Sequence, residues 1–121
     1  MVRLSDFRGL KNVVLVWYPG DDTRTCTKQL CEFRDAWSAA ANRDTVVFGV
    51  NNQSAKSHEA FRAKFHLPFP LLVDAGQEVG ERYGTRGLIA KRTVYLIGKS
   101  GVIRYAKRGK PVPDEVLRAA E

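Results

Sequence analysis

The apolar positions of this 121-residue chain fall into two kinds of stretch. NVVLVWY (12–18) and TVVFGV (45–50) are nearly continuous apolar runs rich in valine. Such runs predict strands buried on both faces, as at the centre of a parallel sheet. Between them lies TCTKQLCEFRDAWSAAA (25–41), where Cys26, Leu30, Phe33 and Trp37 recur at i, i+4, i+7 and i+11 and form one helical stripe. Residues 12–50 therefore predict a strand–helix–strand unit.

The second half changes pattern. SAKSHEAFRAKFH (54–66) predicts a helix with Ser54 or Ser57 as N-cap and with Phe61 and Phe65 on a shared face. LPFPLLVD (67–74) has two prolines that enforce extended backbone before them, and LLVD is a short strand. AGQEVGERYG (75–84) predicts a short helical turn ending near Gly84. RTVYLIG (92–98) and VIRYAK (102–107), joined by KSG, predict a hairpin. PDEVLRAAE (113–121) is a closing helix with Pro113 and Asp114 near its start. The order β α β α β α β β α is that of a thioredoxin-like α/β fold, a central mixed sheet with helices on both faces, here as one domain over 1–121.

Composition narrows the class. Hydrophobic residues make up 44% and charged residues 27%, a soluble globular balance. No apolar run approaches the ~20 residues of a membrane helix, so no membrane association is expected. MVRLSDFRGLKN has no apolar core of a signal peptide, and a cytoplasmic setting is expected. The net charge of +7 could serve an anionic partner. However, the cations are scattered, and the densest group, Arg104, Lys107, Arg108 and Lys110, has no interleaved aromatic platform. A solvated basic surface is expected, with no nucleic-acid partner.

The two cysteines, Cys26 and Cys31, stand just behind PGDDTRT. In a reducing compartment a close pair is catalytic or metal-binding rather than a structural staple. A structural zinc site needs about four ligands, and only His58 and His66 could add to the pair. No metal or other cofactor is therefore expected, and the two histidines are assigned to surface or capping positions. Trp17 and Trp37 are assigned to the core or its rim. Cys26 falls in the first turn of its predicted helix, where unpaired N–H groups and the helix dipole favour a thiolate. Cys31 lies about 140° further round the axis, its Cα roughly 8–9 Å away, beyond the about 4.4–6.8 Å of a disulfide. Either the two never bond, or the start of the helix must unwind for them to do so.

These residues resemble the peroxiredoxins. PGDDTRTC matches the family's P-x-x-x-T-x-x-C at Pro19, Thr23 and Cys26, and TKQLCEFRD resembles the Q-type or bacterioferritin comigratory protein subgroup, with its second cysteine five positions on. The likeness continues through LSDFRGLKNVVLVWYPGDDT, FHLPFPLLVDAGQEVGERYG and RTVYLIGKSGVIRY. It implies a peroxidase that reduces hydrogen peroxide and organic hydroperoxides. Cys26 would be the peroxidatic thiolate, Thr23 a hydroxyl bonding the thiolate or the peroxide, and Pro19 a shield against water. Arg92, before TVYLI, would stabilise the thiolate and the developing charge. Cys26 would become a sulfenic acid, Cys31 would condense with it to an intramolecular disulfide, and thioredoxin or a similar dithiol would restore both thiols. A monomer is expected, with a homodimer as the alternative.

The chain departs from the family in three places. Arg24 and Thr25 replace the Pro-Gly that usually precedes the peroxidatic cysteine, leaving Arg24 either a solvated cation or an active-site one. The strand that usually ends in Asp ends in Gly98. The chain opens at VRLSDFRG, without the N-terminal hairpin that begins the family, so a sheet edge left bare could be covered by another subunit. Two other functions compete. A thioredoxin-like disulfide reductase would have two residues between its cysteines, not four, and a proline where Arg92 stands. A redox-silent paralogue acting as a binding module would require the short N-terminus to have spoiled the pocket.

Overall fold

A computed structural model describes residues 2–121. Five strands form one sheet: β1 (Asn12–Trp17), β2 (Thr45–Asn51), β3 (Leu71–Val73), β4 (Thr93–Ile97) and β5 (Ile103–Arg108). Their order is β3-β2-β1-β4-β5, with β1, β2 and β3 parallel and β4 and β5 antiparallel to their neighbours. This is the mixed sheet expected of a thioredoxin-like fold. β1 lies at its centre, and all six of its residues are buried. That is why its sequence reads as an unbroken apolar run.

Alternation along β1 sends Val14, Val16 and, just beyond the strand, Tyr18 into one core layer, and Val13, Leu15 and Trp17 into the other. The first layer is built with α1 (Arg24–Asp35), α3 (Ala55–Phe65) and α5 (Pro113–Leu117), through Leu30, Phe33, Phe61, Val116 and Leu117. The second is thinner. It is covered by the 3-10 turn Leu4–Phe7, through Phe7, and by α4 (Glu78–Tyr83), through Tyr83. A cavity of about 600 Å³ remains there, lined by Leu15, Trp17, Phe48, Val50 and Leu72 among others. It holds neither cysteine and lies on the opposite side of β1 from the chemistry described below.

Several predicted boundaries shift. The helix expected over 25–41 is two, α1 and α2 (Trp37–Ala41), separated at Ala36, whose φ of −93° and ψ of 10° are not helical. The stripe Cys26, Leu30, Phe33 continues along α1, and the break turns Trp37 against Phe69 with ring centres 6.2 Å apart. The closing helix stops at Leu117 rather than running to 121. The last residues instead pair with β1, where the Asn12 side chain donates to the Glu121 carbonyl at 3.2 Å and accepts from the Glu121 N–H at 2.9 Å. Ser54 is the N-cap of α3, its hydroxyl accepting from the Ser57 N–H at 3.1 Å. His66 caps the other end in the left-handed region at φ 53°.

His58 is a correction. It was expected on the surface or at a cap, yet it is buried. It lies three positions before Phe61 and seven before Phe65, on the inner face of α3, and its ring meets the Asp21 carboxylate in the loop after β1.

Candidate active site

The chain leaves β1 through Tyr18, Pro19 and Gly20, turns at Asp22, and enters α1 at Arg24. Asp22 has a φ of 56°, a left-handed conformation that a short polar side chain tolerates. Thr23 is the N-cap residue. Its carbonyl accepts the first helical bond from the Thr27 N–H at 2.8 Å, while its hydroxyl donates to the Gly20 carbonyl at 3.3 Å. Pro19 is half-buried and Thr23 exposed. The N–H groups of the first turn have no partner within the helix, so they and the helix dipole face the start of α1.

Cys26 sits in that first turn with 1% of its surface exposed, packed in the core layer that holds Tyr18, Leu30 and Phe33. Arg92, the residue before β4, reaches it from across the sheet. Its Nη2 donates to the Cys26 Sγ at 3.1 Å, and its Nη1 donates to Gln29 Oε1 at 2.7 Å. The antiparallel pairing of Trp17 with Thr93 brings this arginine to the end of β1 from which α1 departs. The guanidinium and the first-turn N–H groups thus set hydrogen-bond donors around the Cys26 sulfur. Gln29, one helical turn beyond Cys26 on the same face, went unnoticed in the sequence. Its i+3 spacing was the available signal. It orients the guanidinium, and its buried Nε2 has no partner among the described residues.

Cys31 is half-buried further along α1, and both cysteines are free thiols. Five helical residues separate them, so the intact helix keeps them out of bonding range. The structure thus brings Cys26 and Arg92 into contact, holds Pro19 and Thr23 in the loop leading to Cys26, and keeps Cys31 apart. Arg24 is exposed at the first position of α1.

A polar cluster lies directly behind the loop. The Tyr18 hydroxyl donates to Asp21 Oδ1 at 2.5 Å. Burial, the bond to Asp21 and the nearby Asp21 carboxylate hold this phenol far above the ordinary tyrosine range. Asp21 also meets Ser57 and His58 of α3. None of these residues was singled out as functional in the sequence.

Comparison with known proteins gives the chain its family. The AhpC/TSA family model matches residues 1–106. A Coxiella burnetii protein described as a peroxiredoxin of the bcp type is 41% identical, over 85% of this chain and 74% of its own length. The chloroplastic peroxiredoxin Q of Triticum aestivum is 39% identical over 94% of this chain but only 54% of its own length, so the chain spans about half of that relative. Among solved structures, a cysteine-to-serine mutant of PrxQ from Xylella fastidiosa superposes with a TM-score of 0.88 at 29% identity, covering 97% of this chain and 79% of that one. Peroxidoxin BcpB from Mycobacterium tuberculosis gives 0.89 at 27%, covering 98% and 83%. With a family model spanning most of the chain and close relatives of one type, the chain belongs to the AhpC/TSA family and, within it, to the peroxiredoxin Q and bcp group of thiol-dependent peroxidases.

Proposed function

We propose that this chain reduces hydrogen peroxide and organic hydroperoxides at Cys26 and is recycled through Cys31 by thioredoxin or a similar dithiol. The observation that carries this reading is the Arg92 guanidinium 3.1 Å from a buried sulfur at a helix start. The Cys26 thiolate attacks the terminal peroxide oxygen, the O–O bond breaks, and the departing oxygen takes a proton to leave as water or alcohol. Arg92 and the first-turn N–H groups supply donors where negative charge develops. Pro19 limits water at the sulfur, and a rotation of the Thr23 hydroxyl away from the Gly20 carbonyl provides a further donor. The Cys26 sulfenic acid then condenses with the Cys31 thiol, forming the S–S bond and releasing water. Thiol–disulfide exchange with the reductant returns both thiols.

The chain is proposed to work as a cytoplasmic monomer, a state that size-exclusion chromatography with light scattering tests. Function itself is tested by peroxide consumption coupled to thioredoxin and its reductase. Turnover that requires both peroxide and thioredoxin supports the reading. Thioredoxin-like disulfide reduction without peroxide consumption overturns it.

A further inference from the structure

The loop between β1 and α1 carries Pro19 and Thr23, both assigned to the peroxide step above, and besides the surface pair of Asp22 with Lys64 a buried carboxylate fastens it to the rest of the fold. Asp21 Oδ1 accepts from the Tyr18 hydroxyl at 2.5 Å and from Asn51 Nδ2 at 3.3 Å. Asp21 Oδ2 accepts from the Ser57 hydroxyl at 2.6 Å and faces His58 Nδ1 at 2.7 Å. The backbone N–H of Asp21 donates to the Gln53 side chain. One carboxylate therefore ties the loop to the end of β1, the end of β2 and the inner face of α3. The Asp21 and His58 side chains are only 3% and 4% exposed.

The proton arrangement is constrained. His58 Nε2 lies 3.0 Å from the Leu72 carbonyl, which can only accept, so Nε2 donates. Nδ1 and Asp21 Oδ2 must then share one proton to bond at 2.7 Å. A buried pair of this kind is a poor source of net stability, because desolvation offsets most of the attraction, whereas breaking it by removing one partner is costly. No step of the peroxide reaction uses either group. Tyr18 links the pair to the chemistry: its ring packs in the same core layer as Cys26, and its hydroxyl is held by Asp21.

We propose that Asp21 and His58 are positioning residues for the peroxide step. The pair clamps residues 18–23 to α3, so that Pro19 and Thr23 keep their places beside Cys26 while α1 remains free to unwind beyond them. This rests on the peroxidase reading. The clamp serves the attack on peroxide and does not serve disulfide formation, because the segment that must move lies on the far side of Thr23.

The two steps separate in rapid-mixing experiments with hydrogen peroxide on the reduced full chain. Sulfenic acid formation is second order, and disulfide formation is first order. In Asp21→Ala and His58→Phe the second-order rate should fall roughly ten- to a hundredfold, the scale of a small misplacement of reacting groups. The first-order rate should hold or rise. Asp21→Asn should restore most of the lost rate. Its Oδ1 can accept from Tyr18 and Asn51, and its Nδ2 can donate to Ser57 and to a neutral His58 Nδ1. Each variant is measured where circular dichroism shows it folded. If Asp21→Ala does not fold, the contrast between His58→Phe and Asp21→Asn decides. An unchanged second-order rate in His58→Phe, an equal fall in both phases, or an Asp21→Asn variant as slow as His58→Phe overturns the proposal. If the unmodified chain shows no peroxide-dependent phase, the peroxidase reading itself fails, before any variant is compared.

Discussion

The Arg92 guanidinium reaches Cys26 with one nitrogen and Gln29 with another, a two-point hold that a lysine could not reproduce. Arg92→Ala should therefore slow both peroxide reduction and alkylation of Cys26 at neutral pH, by on the order of a hundredfold for the peroxide step if the group stabilises developing charge. An unchanged alkylation rate would remove Arg92 from the site. Cys26→Ser should abolish peroxide reduction. Cys31→Ser should retain one rapid turnover and lose recycling by thioredoxin, and sustained turnover in that variant would show that the resolving thiol lies elsewhere. Tyr18 sets a further expectation. Its phenol is raised by burial and by Asp21, so the folded state keeps a proton that the unfolded chain gives up at its ordinary pKa of about 10. The stabilisation is complete below that pH and is lost as pH rises above it. Tyr18→Phe should flatten this part of the alkaline unfolding curve, which chemical denaturation at a series of pH values would show.

At the scale of elements, α1 must give way if Cys26 and Cys31 are to meet. Breaking a few helical bonds at its start costs about a few kcal/mol, which a covalent disulfide can offset. The far end of the helix is better secured. Phe33 is buried, and Arg34 Nη1 donates to the Phe65 carbonyl at 2.9 Å, fastening α1 to the end of α3. Hydrogen exchange on oxidation should rise across residues 26–32 and change little across 34–40. Equal protection in both redox states would rule out an intramolecular pair. β2 offers a packing test. A Cβ on Gly49 would come within 2.7 Å of Leu71 and 3.0 Å of Tyr18, so Gly49→Ala should destabilise the fold by about 1–3 kcal/mol in denaturant titrations. The sequence showed where α1 begins, because its apolar stripe starts at Cys26. It did not show the break at Ala36, since alanine favours helix and the contact of Trp37 with Phe69 that accompanies the break is tertiary. His58 carried a local signal, its register with Phe61 and Phe65. Its partner Asp21 carried none, being 37 residues away and joined only by the folded chain.

For the whole molecule, the run of buried strands and the hairpin made the mixed sheet legible, and the cysteine spacing with its threonine and proline made the candidate centre legible. The uneven covering of the two sheet faces was not, because it depends on which helices cross to which side. The sheet also ends asymmetrically. β3 is three residues long, whereas β5 is six residues long and mostly exposed. Arg104, Lys107 and Arg108 lie along β5. An open strand is a template on which a second chain can polymerise, and charged side chains along it, here Arg108 with the ion-paired Arg104 and Lys107, are one of the ordinary deterrents. Such a deterrent acts through water and weakens with salt, its range falling from about 10 Å at 0.1 M to about 3 Å at 1 M. Colloidal stability should therefore depend on ionic strength. Static light scattering should report rising self-association as sodium chloride increases, and Arg104→Ser with Lys107→Ser should move that onset to lower salt.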